Sequence, residues 1–596
     1  MIINYIQLQI SSLLASTGID ECNLKIVICA LLSFPFNGIF KRLPDQNYTL
    51  KHIYILGVSS IFIFVILQLG SGLRTLLISS IGCYFITRYL TTPYMPWVNF
   101  LFLMTHLFHN HINAQFFNEY DPTKVDILGA QMVMVMKLSG FGWNVYDARQ
   151  PKDSLTPYAR SRMVKKHPNI LPFLSYVFYY ASLLTGPAFD YADYDKFIHA
   201  TLFDDVPESK RPGKGKRKIP RSFIVSMKKT FQGFFWAILL IQSPKYVNVE
   251  YVLDGRLYAE HYFTYRIFYY WVLGFSYRLK YYTIWLIAEG ACILGGIGYN
   301  GYDAETDSFR WNAVQNIDPY AFETGQNVHV CLEAWNMNTN KWLKNYVYMR
   351  VAKPGKKPGF KSTLFTFTTS AIWHGTRPGY YMVFVMGAFM QSLGKIYRRN
   401  LRPIFLQKDG KTPKKSKKYY DIVCYLTTQL TFGFVVQPFV ILDFKKSIYA
   451  WSICYFYVQI AIFVTFFLFK GPYGKKLVLW CKRHQDVNQL RKEDSKKIFT
   501  KQENEKIQTA IDMLLASKDM DLETAPPLGI PSIETLQSVD KEELESYVKE
   551  LSDVWASFKN RDSELGGLRD AYNSFATEVN EIYQNRKEEL MKMHKT

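Results

Sequence analysis

Residues 363–393 read TLFTFTTSAIWHGTRPGYYMVFVMGAFMQSL. Two apolar runs, Thr363–Trp373 and Tyr380–Leu393, flank a break that opens on His374-Gly375 and closes on Arg377-Pro378-Gly379. Proline cannot continue a helix and glycine weakens one, so the pattern reads as two helices with a hinge between them. A perpendicular span of a bilayer core takes about 20 apolar residues. Both runs are shorter than that. Short, broken runs are buried helices or re-entrant segments lining a cavity inside a membrane bundle. An ionisable side chain at such a break is costly at membrane depth and marks a functional position.

The same alternation recurs outward in both directions. Apolar runs precede it at Leu24–Phe40, Ile53–Leu69, Leu76–Leu90, Trp97–Phe108, Ile170–Leu184, Phe231–Ile241, Tyr262–Phe275 and Tyr281–Ile297. Ile422–Ile441 and Ile448–Phe469 follow it. The expectation is an all-α polytopic membrane bundle of about eleven embedded helices over residues 1–470. The first 23 residues lack the basic region and small-residue cleavage site of a secretory signal. Aromatic residues make up 16% of the 596, which excludes disorder for most of the chain.

Charge follows the same segmentation. The net charge of +21 hides a balance of −8 over residues 501–596 and +29 over the rest. Basic side chains cluster between apolar runs, at 208–229 and 395–418, and both loops are expected to face the cytosol. That distribution points away from nucleic acid and toward membrane lipids. Residues 471–596 form a charged extension, expected to be cytosolic. Within it Leu536, Val539, Leu544, Val548, Leu551, Trp555 and Phe558 recur at helical spacing, the mark of an amphipathic helix. The eight cysteines form no C-x-x-C pair and read as buried small hydrophobes, with no disulfide framework and no metal site.

The chemistry concentrates in residues 331–379. Trp335-Asn336-Met-Asn338-Thr-Asn340-Lys-Trp342 places three amides on a tryptophan-rich segment upstream of His374. Histidine is suited to proton transfer near neutral pH, and an asparagine amide can donate to a developing oxyanion. A lone histidine in an apolar run is more often a hydrogen-bonded core residue; the amide cluster shifts that balance.

Trp335-Asn336, Trp342-Leu343 and Trp373-His374-Gly375 together resemble the membrane-bound O-acyltransferase family. Leu184-Thr-Gly186-Pro187-Ala-Phe-Asp190-Tyr-Ala-Asp193-Tyr194 is similar to its Gly-Pro motif. Glu289-Gly290 through Gly298-Tyr299-Asn300-Gly301 is similar to its Glu-Gly and Gly-Tyr-Asn-Gly element, a combination typical of the lysophospholipid branch. The resemblance implies a helical bundle with a tunnel reaching His374 from the cytosolic side, in the endoplasmic reticulum membrane. It implies acyl-CoA as co-substrate, with no other cofactor, and a lysophospholipid acceptor entering from the bilayer. The family's histidine falls on His374 and its asparagine on Asn336, with Asn338 and Asn340 as nearby rivals. Trp335, Trp342 and Trp373 either wall the tunnel or pack helices. Glu289, Tyr299 and Asn300 are further candidates for substrate contact, Tyr299 and Asn300 equally for shaping a turn. A sterol or diacylglycerol acyltransferase, or a noncatalytic lipid transporter, is the competing reading.

Two other patterns invite attention. His199-x4-Asp204 spells a short motif of a different acyltransferase class, but without that class's other motifs. His106, His109 and His111 form a single H-x-x-H-x-H box, where a di-iron site needs several. They read as polar residues at a helix end near the interface.

Overall fold

The computed structural model describes residues 7–12, 21–117, 126–212, 217–351 and 359–486. Helices dominate, and the sole sheet among the described residues is a two-stranded hairpin pairing Tyr302–Asp303 with Ser308–Phe309. The fold is that of a polytopic membrane bundle. Large apolar side chains such as Phe231, Phe235, Ile238 and Ile241 face outward on one helix, as lipid contact requires.

Four helices among the described residues are long and apolar enough to cross a bilayer, Glu21–Phe40, Tyr48–Ile66, Phe223–Leu253 and Lys417–Ile441. A fifth span arises if Phe444–Ser452 and Tyr457–Lys470, bent by 75°, count as one. The expected count of about eleven is therefore not confirmed. The other apolar runs are short, or interrupted by polar residues that the bundle satisfies internally. Phe263–Gly295 shows why. At 33 residues it is the longest helix described, yet it carries Arg266, Arg278, Lys280 and Glu289. Arg278 makes a two-pronged contact with Glu323 at 2.8 and 2.9 Å, and Arg266 donates to the carbonyls of His261, Tyr258 and Ile453. Such pairing is what lets charge sit within a bundle.

Phe263–Gly295 packs along Phe223–Gln242 over most of its C-terminal half. Gly290 makes this possible: a Cβ there would lie 2.6 Å from Thr230 Oγ1 and 3.0 Å from the Ser226 carbonyl. Ser226 in turn donates to the Gly290 carbonyl at 2.7 Å. Asn37, fully buried, ties the Glu21–Phe40 helix to the same end by donating to the Ala291 carbonyl and accepting from Tyr180.

The Gly-Pro segment forms a buried polar hub. Asp190 accepts from Tyr158 and Tyr346 at 2.7 Å each, while Arg162 pairs with Asp193 at 3.1 Å. Loss of water pushes the Asp193 carboxyl up to about 6, against the opposing pull of Arg162.

All eight cysteines are free thiols. The first compact unit runs to Gln485. Helix Gly474–Arg483 belongs to it, with Cys481 buried and Gln485 donating to the Asn400 carbonyl. The amphipathic segment expected beyond Leu536 lies outside the described residues.

Candidate active site

Helix Phe360–His374 ends because Gly375 adopts φ +132°, outside the helical region, and its N–H bonds back to the Ala371 and Ile372 carbonyls. Pro378 opens the next helix, Pro378–Asn400, at a position where its missing N–H costs nothing. His374 thus stands at the hinge between two helices packed against each other. Its half-buried imidazole is enclosed by rings: Phe384 stacks at 5.0 Å, Phe439 meets it edge-on at 5.1 Å, and Tyr380 lies at 5.5 Å. Among the described residues none hydrogen-bonds to this imidazole. A core histidine held by partners would look different. This one is packed against aromatic rings with neither ring nitrogen hydrogen-bonded to a described residue.

Asn336 joins helix Val328–Ala334 to helix Met337–Leu343 with φ +43°. Asparagine tolerates that left-handed conformation better than most residues. Its Oδ1 accepts from Thr339 Oγ1 at 2.8 Å, which fixes the rotation of the amide. Its Nδ2 donates to no described residue. The rivals differ. Asn338 Nδ2 donates to Asn316 Oδ1 at 3.1 Å and to the Val314 carbonyl at 3.4 Å, and Asn340 Nδ2 donates to the Leu332 carbonyl at 3.1 Å. Of the three amides, Asn336 alone keeps both its N–H donors unoccupied among the described residues.

Asn316 braces this turn. Its carbonyl accepts from Met337 N at 2.8 Å and its Oδ1 from Asn338 N at 3.1 Å. Behind it lies Glu289, fully buried and paired with Lys229 at 2.9 Å, its carboxylate facing the Asn316 backbone. Its salt bridge is with Lys229, and it makes no contact with His374 among the described residues.

The tryptophans divide. Trp342 and Trp373 are buried, 5.8 Å apart, and their indole N–H groups donate to Ser139 Oγ and the Met132 carbonyl. They clamp the two motif segments onto helix Ile127–Asp147. Trp335 is half-buried within a cluster of Tyr281, Trp285 and Phe322 at 5.3–5.4 Å. Tyr380 packs on His374 from the following helix. No hydrogen bond joins Asn336 to His374.

Tyr299 and Asn300 stand apart. Tyr299 is buried against Phe203 and Trp311 and donates to Asp205 at 2.8 Å; Asn300 is exposed and donates to Asn312 at 2.8 Å. They anchor the base of the hairpin, the turn-shaping geometry.

The histidine box separates. His106 contacts Ser79 at 2.9 Å, His109 contacts Asn113, and His111 approaches the Trp373 carbonyl at 3.3 Å. His111 stands in the last turn of helix Met95–Ile112, as read, and is buried there because this helix end abuts the Trp-His-Gly turn. His199 bonds the Asp195 carbonyl while Asp204 pairs with Lys218, so that short motif is not a unit. Sequence reasoning missed Asn316, Thr339, Tyr281 and Tyr380. None lies in a motif read as functional except Thr339 and Tyr380, which went unremarked inside theirs.

An unpaired imidazole packed among aromatic rings and an unpaired amide donor, both within a membrane bundle, are groups able to take a proton and to stabilise an oxyanion. The model of the membrane-bound O-acyltransferase family matches residues 112–437. The chain is 44% identical to the lysophospholipid acyltransferase of Saccharomyces cerevisiae, over 99% of this chain and 97% of that one. It is 40% identical to the lysophospholipid acyltransferase of Schizosaccharomyces pombe, covering 77% and 88%, respectively. The human membrane-bound glycerophospholipid O-acyltransferase 2 is 28% identical over 61% of this chain and 68% of its own length. The chain belongs to the membrane-bound O-acyltransferase family and is an acyltransferase.

Proposed function

We propose that the protein transfers a fatty acyl chain from acyl-CoA to the free sn-2 hydroxyl of lysophospholipids, among them lysophosphatidylcholine, lysophosphatidylethanolamine and lysophosphatidic acid. The two yeast relatives, both named lysophospholipid acyltransferases, support this acceptor class. The observation that carries the catalytic part is the His374 imidazole, held in a ring-lined chamber without a hydrogen-bond partner among the described residues. His374 takes the proton of the acceptor hydroxyl. The oxygen attacks the thioester carbonyl, and the Asn336 Nδ2 donates to the oxyanion. Collapse expels the CoA thiolate, which takes the proton back from His374, leaving the ester and free CoA. A base of this kind contributes about 10²–10⁴-fold, and one oxyanion donor about 10²–10³-fold. The enzyme works in the endoplasmic reticulum membrane, with its basic loops and C-terminal extension in the cytosol, where acyl-CoA is available.

The test measures free thiol from membranes given acyl-CoA and lysophosphatidylcholine. Wild type releases CoA, and His374→Ala loses about 10²-fold or more. Equal release by both removes His374 as the base. A panel of lysolipids, diacylglycerol and sterol as acceptors decides the substrate class: ester formed on sterol or diacylglycerol alone would overturn the lysophospholipid reading.

A further inference from the structure

We infer that His111 is a positioning residue for the His374 base, acting through the Trp373–Gly375 turn. The inference rests on His374 being that base. The last carbonyls of a helix have no partners within it. In Phe360–His374, those of Ala371 and Ile372 are capped by Gly375 N. The Trp373 carbonyl is capped from another helix, by His111 Nε2 at 3.3 Å. A carbonyl only accepts, so the proton of His111 sits on Nε2. The ring also fills the space beside Gly375, where a Cβ would lie 3.0 Å from His111 Nδ1. The positive φ and this close ring both demand glycine at 375.

The grip has a second point four residues on. Thr376 Oγ1 donates to Gln115 Oε1, so the segment from His111 to Gln115 holds the turn on both sides of Gly375. His374 lies between the gripped carbonyl and the gripped hydroxyl. Having no hydrogen bond of its own among the described residues, its ring takes its aim from the backbone of this turn and from the rings around it. Small misplacements of a reacting group cost large rate factors. Among the described residues His111 contacts the Trp373 carbonyl and fills the space beside Gly375, so it acts through the turn.

The test uses the full-length protein in lipid nanodiscs, with initial rates of CoA release against acyl-CoA and lysophosphatidylcholine. His111→Leu removes the donor, and His111→Gln keeps an N–H at similar reach. His111→Leu is expected to lower kcat by about 10-fold or more, with both KM values within about twofold of wild type. His111→Gln is expected to recover kcat to within about threefold of wild type. Wild-type kcat in His111→Leu, or a loss confined to KM, overturns the inference. If His111→Leu does not fold, His111→Gln decides alone: folded, with less than about a third of wild-type kcat, it overturns the inference. Failure of the base reading is distinguishable, because then His374→Ala stays active whatever His111 does.

Discussion

An imidazole can accept a proton only through a nitrogen that no other donor occupies, and an amide can stabilise an oxyanion only with an N–H it has not already given away. Among the ten described histidines His374 alone has neither a hydrogen bond nor an ion pair, and among Asn336, Asn338 and Asn340 only Asn336 keeps its N–H donors. Sequence spacing alone leaves Asn336, Asn338 and Asn340 on similar footing. The distinction comes from where Val314, Asn316 and Leu332 place their acceptors. Asn336→Asp keeps the oxygen that Thr339 needs and removes the free N–H. It should retain a melting temperature near wild type and lose about 10²-fold in kcat, read by thermal unfolding and initial rates on one preparation. A kcat within threefold of wild type would show that Nδ2 does no work in the transition state.

At the scale of elements, the Trp-His-Gly break is legible because its causes are local. Glycine and proline end and restart helices wherever they stand. The Asn336 turn is less so, since it is braced from Asn316 in another segment, and the role of Glu289 shows only in its pairing with Lys229 on another helix. A glutamate in an apolar run reads equally as substrate contact and as structure until its partner is known. Removing one member of a buried pair leaves an uncompensated charge and costs about 3–5 kcal/mol, whereas replacing both with apolar groups is close to neutral. Lys229→Met should therefore lower stability strongly, and Lys229→Met with Glu289→Leu should recover most of it, measured by thermal unfolding in detergent. Additive losses in the double variant would show that the two charges do not compensate each other. The helix count is left unconfirmed for a related reason. Spans such as Phe263–Gly295 carry arginines whose partners lie on other elements, so composition alone misjudges them.

At the scale of the whole molecule, basic segments gather at one end of the bundle. Arg162 pairs with Asp193 on helix Tyr191–Ile198, Lys51 donates to the carbonyls of Ile198 and Asp45, and Lys218 N donates to Asp45. This chain of contacts joins the basic stretch 149–166, whose Arg149, Lys152, Arg160, Lys165 and Lys166 are exposed, to the basic loop 208–229. A polyanionic co-substrate such as acyl-CoA is drawn to such an end, and salt screens the attraction within about 10 Å at 0.1 M. Raising KCl from about 0.05 to 0.5 M should raise KM for acyl-CoA several-fold and leave KM for zwitterionic lysophosphatidylcholine nearly unchanged. A flat KM for acyl-CoA would remove the electrostatic capture.

The sequence by itself determined the helical membrane class, the hinge at Gly375 and the identity of His374 as the base to test. Each of these follows from residue types within a turn or two of one another, where chain connectivity does the positioning. Only the tertiary structure decided which asparagine keeps its donors, that Tyr299 and Asn300 shape a hairpin, and that His111 reaches the Trp373 carbonyl. That last contact joins residues 262 positions apart. Contacts of this kind depend on how helices pack against one another, and nothing in the local pattern of either helix specifies its neighbour.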